Sequence, residues 1–140
     1  MPLLVVRHAR AGNPAEWEGD DRLRPLDEKG LGEARGLPAL LAEFPLDRLV
    51  SSPTLRCTQT LEPLSTERGL QVETASELME GASGEETLGL LRGLADRAAV
   101  CTHGDVLEHL FGEAGKKGST RVVELRDGKP VVLEYLPPPE

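Results

Sequence analysis

Apolar residues recur along the chain in two rhythms, and their alternation sets the expected architecture. Leu3-Leu4-Val5-Val6 is a short continuous apolar run that gives way to polar and glycine-containing sequence, the pattern of a strand buried on both faces. Residues 9–25 carry Gly12, Pro14, Gly19 and Asp20-Asp21 and predict a loop. From Asp27, which suits an N-cap, the positions Leu31, Ala34, Leu37, Leu41 and Phe44 fall at steps of three or four and predict an amphipathic helix, kinked or shortened by Pro38. Leu46–Val50 predicts a second strand. Ser51-Ser52-Pro53 then supplies a hydroxyl cap with proline at the first helical position, so a helix is expected from Pro53 to near Arg68-Gly69, with Pro63 interrupting its pattern.

Further on, Leu70–Thr74 reads as a short strand, Glu85–Arg97 as a helix and Ala98–Thr102 as another buried strand, after which His103-Gly104 opens a helix through Leu110. Arg121–Leu125 and Val131–Leu136 alternate around Asp127-Gly128, a dipeptide suited to a tight hairpin turn. Strands alternating with helices imply a mostly parallel sheet covered on both faces, so the expected fold class is an α/β three-layer sandwich.

Length and composition narrow the picture. The 140 residues are expected to form one domain, 1–140, and their 39% hydrophobic and 29% charged content is that of a globular chain. No apolar run approaches the ~18 residues of a membrane span, and the Met-Pro-Leu-Leu-Val-Val-Arg-His start lacks a basic leader, so a cytoplasmic protein with no membrane partner is expected. The net charge of -8 and only 3% aromatics disfavour nucleic acid, which is bound through Lys, Arg and stacking rings. Acids concentrate in residues 25–115, which carry sixteen of them against seven bases. Cys57 and Cys101 read as small buried residues, kept reduced in such a compartment.

Open α/β sheets bind ligands beyond the carboxyl ends of their strands, and three such ends carry chemistry here. Arg7-His8 follows the first strand, Arg56 lies in the first turn of the helix after the second, and His103 follows Ala98–Thr102. Two guanidinium groups, two imidazoles and the N–H groups of a helix start match a tetrahedral phosphoryl group. A neutral His8 can attack phosphorus without a separate base, forked Arg7 and Arg56 can bind its oxygens in pairs, and His103 can donate to the equatorial oxygens. Each residue alone reads as readily as loop, cap or core; the ordered set favours a site.

Leu-Val-Val-Arg7-His8-Ala, Ser-Ser-Pro-Thr-Leu-Arg56-Cys-Thr-Gln-Thr and Thr-His103-Gly resemble the histidine phosphatase, or phosphoglycerate-mutase-like, superfamily over nearly the whole chain. The resemblance implies that His8 accepts the phosphoryl group, that Arg7, Arg56 and His103 line its pocket, and that no metal or other cofactor takes part. Gly19-Asp20-Asp21, Arg24-Pro25-Leu26-Asp27 and Gly30 look like SixA-type phosphohistidine phosphatases, and more like the phosphatase domain that follows a Nudix domain in two-domain enzymes; Lys117-Gly118-Ser119-Thr120 is similar to the latter. Phosphorylated small molecules, nucleotides and phosphohistidine proteins are therefore the expected partners. The family's Arg-His-Gly is Arg-His-Ala9 here, and Asn13 lies near the offset where members place a further phosphate donor. Of Glu77 and Glu80, in the connection where the family supplies its leaving-group acid, Glu80 is the choice, and it is expected to be buried or beside another acid.

Other readings stand beside this one. A phosphomutase would retain its intermediate, a binding module would keep the pocket without turnover, and a metallohydrolase would use His8, His103 and Asp20 or Asp21 as ligands. Asp20-Asp21 by themselves read as a polar turn, His109 as structural or surface, and Cys101 as packing. Arg10, Arg22 and Arg24 could extend a cationic surface toward a second phosphate, although acids balance them.

Overall fold

A computed structural model of the chain describes residues 2–140. Six strands, β1 (Leu3–Arg7), β2 (Arg48–Ser51), β3 (Val72–Thr74), β4 (Ala98–Thr102), β5 (Thr120–Arg126) and β6 (Lys129–Leu136), form one sheet in the order β3-β2-β4-β1-β5-β6. The first four strands in that row run parallel, and β5 and β6 are antiparallel additions. The helices are α1 (Glu28–Leu40), α2 (Leu55–Arg68), α3 (Gly84–Leu94) and α4 (Gly104–Phe111). The α/β sandwich is thus as expected. Among the described residues no helix is long and apolar enough to cross a membrane.

Alternation along each strand divides the core in two. Leu4 and Val6 of β1, with Leu49 and Cys101, face α1 and α2 and meet Leu37, Leu41, Cys57, Leu61 and Leu64. Leu3 and Val5, with Val50 and Val100, face the other way onto Leu91 of α3 and Leu107 of α4. A central parallel strand must be apolar at every position because both of its faces are covered. Each fully buried leucine or valine contributes roughly 1.5–3 kcal/mol relative to exposure. That packing carries α1 through Pro38 in its last turn and α2 through Pro63 without a break.

Some boundaries differ from the sequence reading. Asp27 caps α1 as expected, its side chain accepting from Gly30 N–H at 2.8 Å. Residues 9–25, expected as loop, contain two short 3-10 turns, Pro14–Glu16 and Asp21–Leu23, capped by Asn13 and Asp20. Helix α2 starts at Leu55 with Thr54 as N-cap, not at Pro53 with a serine cap; the Ser52 hydroxyl lies 2.9 Å from His103 Nε2 and accepts from Thr54 N–H at 3.4 Å. Helix α3 stops at Leu94, short of Arg97, because Ala95 and Arg97 take left-handed φ values of 64° and 57° to turn the chain into β4. Backbone bonds from Arg97 N–H to Pro2 O and from Asp47 N–H to Arg97 O fix that reversal.

Gly30 locks the segment after β1 onto α1. A Cβ at this position would lie 1.8 Å from Arg10 O, so only glycine permits the approach. The same segment is closed by the Arg10–Asp27 ion pair at 2.9 Å and the Ala11–Leu26 bridge.

Candidate active site

The parallel register determines which residues meet. Arg7 of β1 pairs with Thr102 of β4, and Ser51 of β2 with Cys101, so three strands end at one level. His8 N–H continues the ladder to Thr102 O at 3.1 Å, and Ser52 N–H to Cys101 O at 3.0 Å. The next side chains on each strand therefore emerge together. Arg7, His8, Arg56 and Glu80 line one cleft of about 310 Å³, with Arg24, Asp105 and Lys117 on its walls. His103 lies behind them, 1% exposed, its ring 5.4 Å from that of His8 in an edge-on arrangement.

His8 is held in one form. Its Nδ1 lies 2.8 Å from Ala9 O, and a carbonyl only accepts, so Nδ1 carries the proton and Nε2 keeps the lone pair. Burial lowers its pKa to about 4, with His103 and Arg56 adding to the effect. The imidazole is consequently neutral at pH 7. Ala9, in place of the family's glycine, has no positive φ and is fully buried with Ala11, Leu26 and Ala34, while its N–H donates to Thr60 Oγ1 at 3.0 Å. Thr60 in turn donates to Arg56 O at 2.7 Å, tying the loop that carries His8 to α2.

The two guanidinium groups are anchored but incompletely satisfied. Arg7 donates to Gly115 O and packs against Gly104, where a Cβ would come within 2.8 Å of its Nη2. Arg56, 1% exposed, donates to Asp21 O at 2.9 Å and pairs with Asp21 Oδ2 at 3.2 Å and Glu80 Oε2 at 3.7 Å. Buried Arg7 Nε, Arg56 Nε and His103 Nδ1 have no hydrogen-bond partner among the described residues. Buried donors are rarely left alone, and the two guanidinium N–H groups beside one cleft suit an anion with several acceptor oxygens. His103 Nε2 is occupied by Ser52 Oγ at 2.9 Å and lies 3.7 Å from Cys57 Sγ.

The other sequence candidates are distributed unevenly. Glu80 reaches the cleft at its rim; its side chain is 60% exposed, so the expected burial is absent. Asn13 does not line the cleft; its Oδ1 accepts from Ala15 N–H at 2.9 Å to cap a 3-10 turn, and the residue lines a neighbouring cavity. Arg10 pairs with Asp27, and Arg22 with Asp20 at 2.6 Å; of the three loop arginines Arg24 borders the cleft, paired with Asp21 at 2.9 Å. The Asp21 carboxyl is held below its usual pKa, first by Arg24 and then by Arg56. Asp20 and Asp21 are thus engaged by arginines, and among the described residues no three His, Cys, Asp or Glu side chains are grouped to share a metal ion. Cys101 is fully buried, which raises its thiol pKa and fits a packing role.

Three contributors are not read as site residues in the sequence. Ser52 orients His103, Asp105 lines the cleft and accepts from Gly81 N–H at 2.8 Å, and Lys117 borders it without an ion pair among the described residues. Asp105 is an acid in a first helical turn, which carries no mark of a site, and the serine reads as a cap.

The profile of the histidine phosphatase superfamily (branch 1) matches residues 3–90. The chain belongs to that superfamily. It is 34% identical to the 8-oxo-(d)GTP phosphatase of Mycolicibacterium smegmatis over 99% of its own length, and it spans about half of that relative, 48%. Among solved structures, this superfamily member superposes on the protein histidine phosphatase SixA complexed with tungstate at a TM-score of 0.81, with 24% identity over 99% of this chain and 97% of that one. The SixA homologue of Agrobacterium tumefaciens gives 0.80 at 24% identity, covering 98% and 97%. The alpha-ribazole phosphatase of Shigella flexneri gives 0.75 at 15% identity, covering 97% and 96%. These likenesses carry the fold.

Proposed function

We propose that this chain is a metal-independent phosphohydrolase that works through a phosphohistidine on His8. The observation that carries the reading is the fixed, neutral His8, with Nδ1 bound to Ala9 O and Nε2 free, beside two guanidinium groups that retain unpaired buried N–H donors. Nε2 attacks phosphorus, the bond from phosphorus to the leaving group breaks, and Glu80, which takes up a proton from solvent at the exposed rim, passes it to the departing oxygen or nitrogen. Water then attacks the phosphohistidine, gives its proton to the Glu80 carboxylate and releases phosphate, so His8 returns neutral. Arg7, Arg56 and His103 hold the equatorial oxygens, and they act chiefly by position and charge, as phosphoryl transfer requires.

Substrates of this reading are phosphorylated small molecules, nucleotides or phosphohistidine proteins. Exposure of Glu80 at the rim supports hydrolysis over a mutase, since water reaches the leaving-group side directly. Asn13, engaged in capping, is not assigned a phosphate contact. The test is hydrolysis of p-nitrophenyl phosphate in the presence of a chelator. The wild-type chain should turn over and form an acid-labile phosphoenzyme, and His8→Ala should lose both, by more than about a thousandfold in rate. Normal turnover by that variant refutes the nucleophile, and loss of wild-type activity in chelator refutes metal independence.

A further inference from the structure

Beside the phosphate cleft lies a second cavity of about 260 Å³, walled by Gly12, Trp17, Arg24, Pro25 and Leu26, with Asn13 at its edge. The two are neighbours: Arg24 lines both, and the adjoining residues Asn13 and Pro14 face one each. We propose that this cavity seats the planar heteroaromatic ring of a nucleotide whose terminal phosphate lies against His8. The proposal rests on the phosphohydrolase reading and names its substrate class.

The first reason is Trp17. It is the single tryptophan of a chain with 3% aromatic residues, and it stands 38% exposed on the cavity wall instead of in the core. The exposed part of the indole gains nothing from burial, whereas beside a cleft it offers a stacking face for a flat ring. Secondly, the wall is held in place before any ligand arrives. Trp17 Nε1 donates to Asp20 O at 2.9 Å, Asn13 and Asp20 cap the turns on either side, and Leu26 N–H is bound by Gln59 Oε1 at 2.8 Å. Little ordering entropy is then left to lose on binding.

The third reason is polarity. Arg24 is 10% exposed and clamped by Asp21 Oδ1 and Gly12 O, so its charge sits between the two cavities, where the chain of phosphates leading to a ring would pass. Beyond it the wall turns apolar at Pro25 and Leu26, while Glu16 and Asp27 stand at the edge. Of these, Glu16 repels a further phosphate and can accept from a ring N–H, while Asp27 is already engaged by Gly30 N–H and Arg10. A sugar phosphate offers no planar aromatic ring to stack on the indole.

Because the chain has one tryptophan, its emission reports this cavity directly. Wild-type protein and His8→Ala are titrated with guanosine diphosphate and, separately, with inorganic phosphate, and kcat and KM are measured for guanosine diphosphate and for glycerol phosphate. Saturable quenching by the nucleotide and none by phosphate supports the ring site, and His8→Ala should show it without turnover. Replacing the indole in Trp17→Ala should raise KM for the nucleotide at least about tenfold more than for glycerol phosphate, with Trp17→Phe restoring much of the difference. A nucleotide that is hydrolysed with no change in emission, or equal KM changes for both esters, overturns the ring site. Turnover retained by His8→Ala overturns the phosphohistidine reading instead, so the two failures are separate.

Discussion

Acidification from pH 7 to pH 5 should cost the wild-type chain about 2 kcal/mol of folding stability that His8→Ala does not lose. His8 is 7% exposed, and burial lowers its pKa from 6.5 to about 4. Between those values the unfolded chain binds a proton that the folded chain refuses. Stability therefore rises with pH across the window and is lost as pH falls through it. At about 1.36 kcal/mol per pH unit the full window is worth about 3 kcal/mol, of which about two-thirds is gone by pH 5. Urea unfolding of both proteins at pH 7, 6 and 5 measures it. The other titrating groups, including 24 carboxylates, are common to both chains and cancel in the difference. The cavity left by the substitution is the same at every pH. A difference that stays flat, or an imidazole that titrates near 6.5 by NMR, refutes burial as the dominant influence on His8. The same shift keeps Nε2 unprotonated at pH 5, so the nucleophile itself should not limit the rate until near pH 4.

Gly104→Ala should leave the melting temperature unchanged or slightly raised, since alanine suits a helix start better than glycine, yet lower kcat/KM at least tenfold; the added Cβ comes within 2.8 Å of Arg7 Nη2 and displaces it. Equal kcat/KM in the two proteins would show that Arg7 does not touch the substrate. Glu80→Gln should slow alkyl phosphates by about a hundredfold and p-nitrophenyl phosphate by only a few-fold, because a good leaving group needs no proton. A parallel comparison across leaving groups checks it, and equal slowing removes Glu80 as the acid.

How much of this was legible beforehand depended on whether the deciding contact was local. Leu3–Arg7 and Ala98–Thr102 were readable because a strand covered on both faces must be apolar throughout, and that requirement leaves a mark at every position. Asp27 was readable because its capping partner is three residues away, and the hairpin because Asp127 and Gly128 must both take positive φ. Ser52 was misread as a cap because its partner, His103, is 51 residues distant and enters only once the sheet has formed. The end of α3 was misplaced for the same reason: Arg97 is turned by backbone bonds to Pro2 and Asp47, which no helical periodicity encodes. At the site, Arg7, His8 and His103 at strand ends and Arg56 in a first helical turn could be picked as a group from their order along the chain. The pairing of Asp21 with Arg56 and the place of Asp105 in the cleft could not, since an acid that reaches its position only once the chain has folded looks in sequence like any other solvated acid.

Those acids bear on how an anion could enter a chain of net charge -8. Beyond a Debye length of ~8 Å at physiological salt the surface charges are largely screened, so the overall sign matters less than the groups within reach of the cleft. There Arg7, Arg24, Arg56 and Lys117 face Glu80 and Asp105, an excess of positive charge in a partly dry space. Asp21 holds Arg56 through both its carbonyl and its carboxylate, so the guanidinium is oriented before any ligand arrives. Glu80, at 3.7 Å and on the exposed rim, is the looser partner. An arriving phosphoryl oxygen competes most easily with that contact. The residue it releases is a carboxylate in that pair, which must first take a proton from solvent at the rim before it can serve as the proposed acid, so substrate entry frees the group without itself charging it.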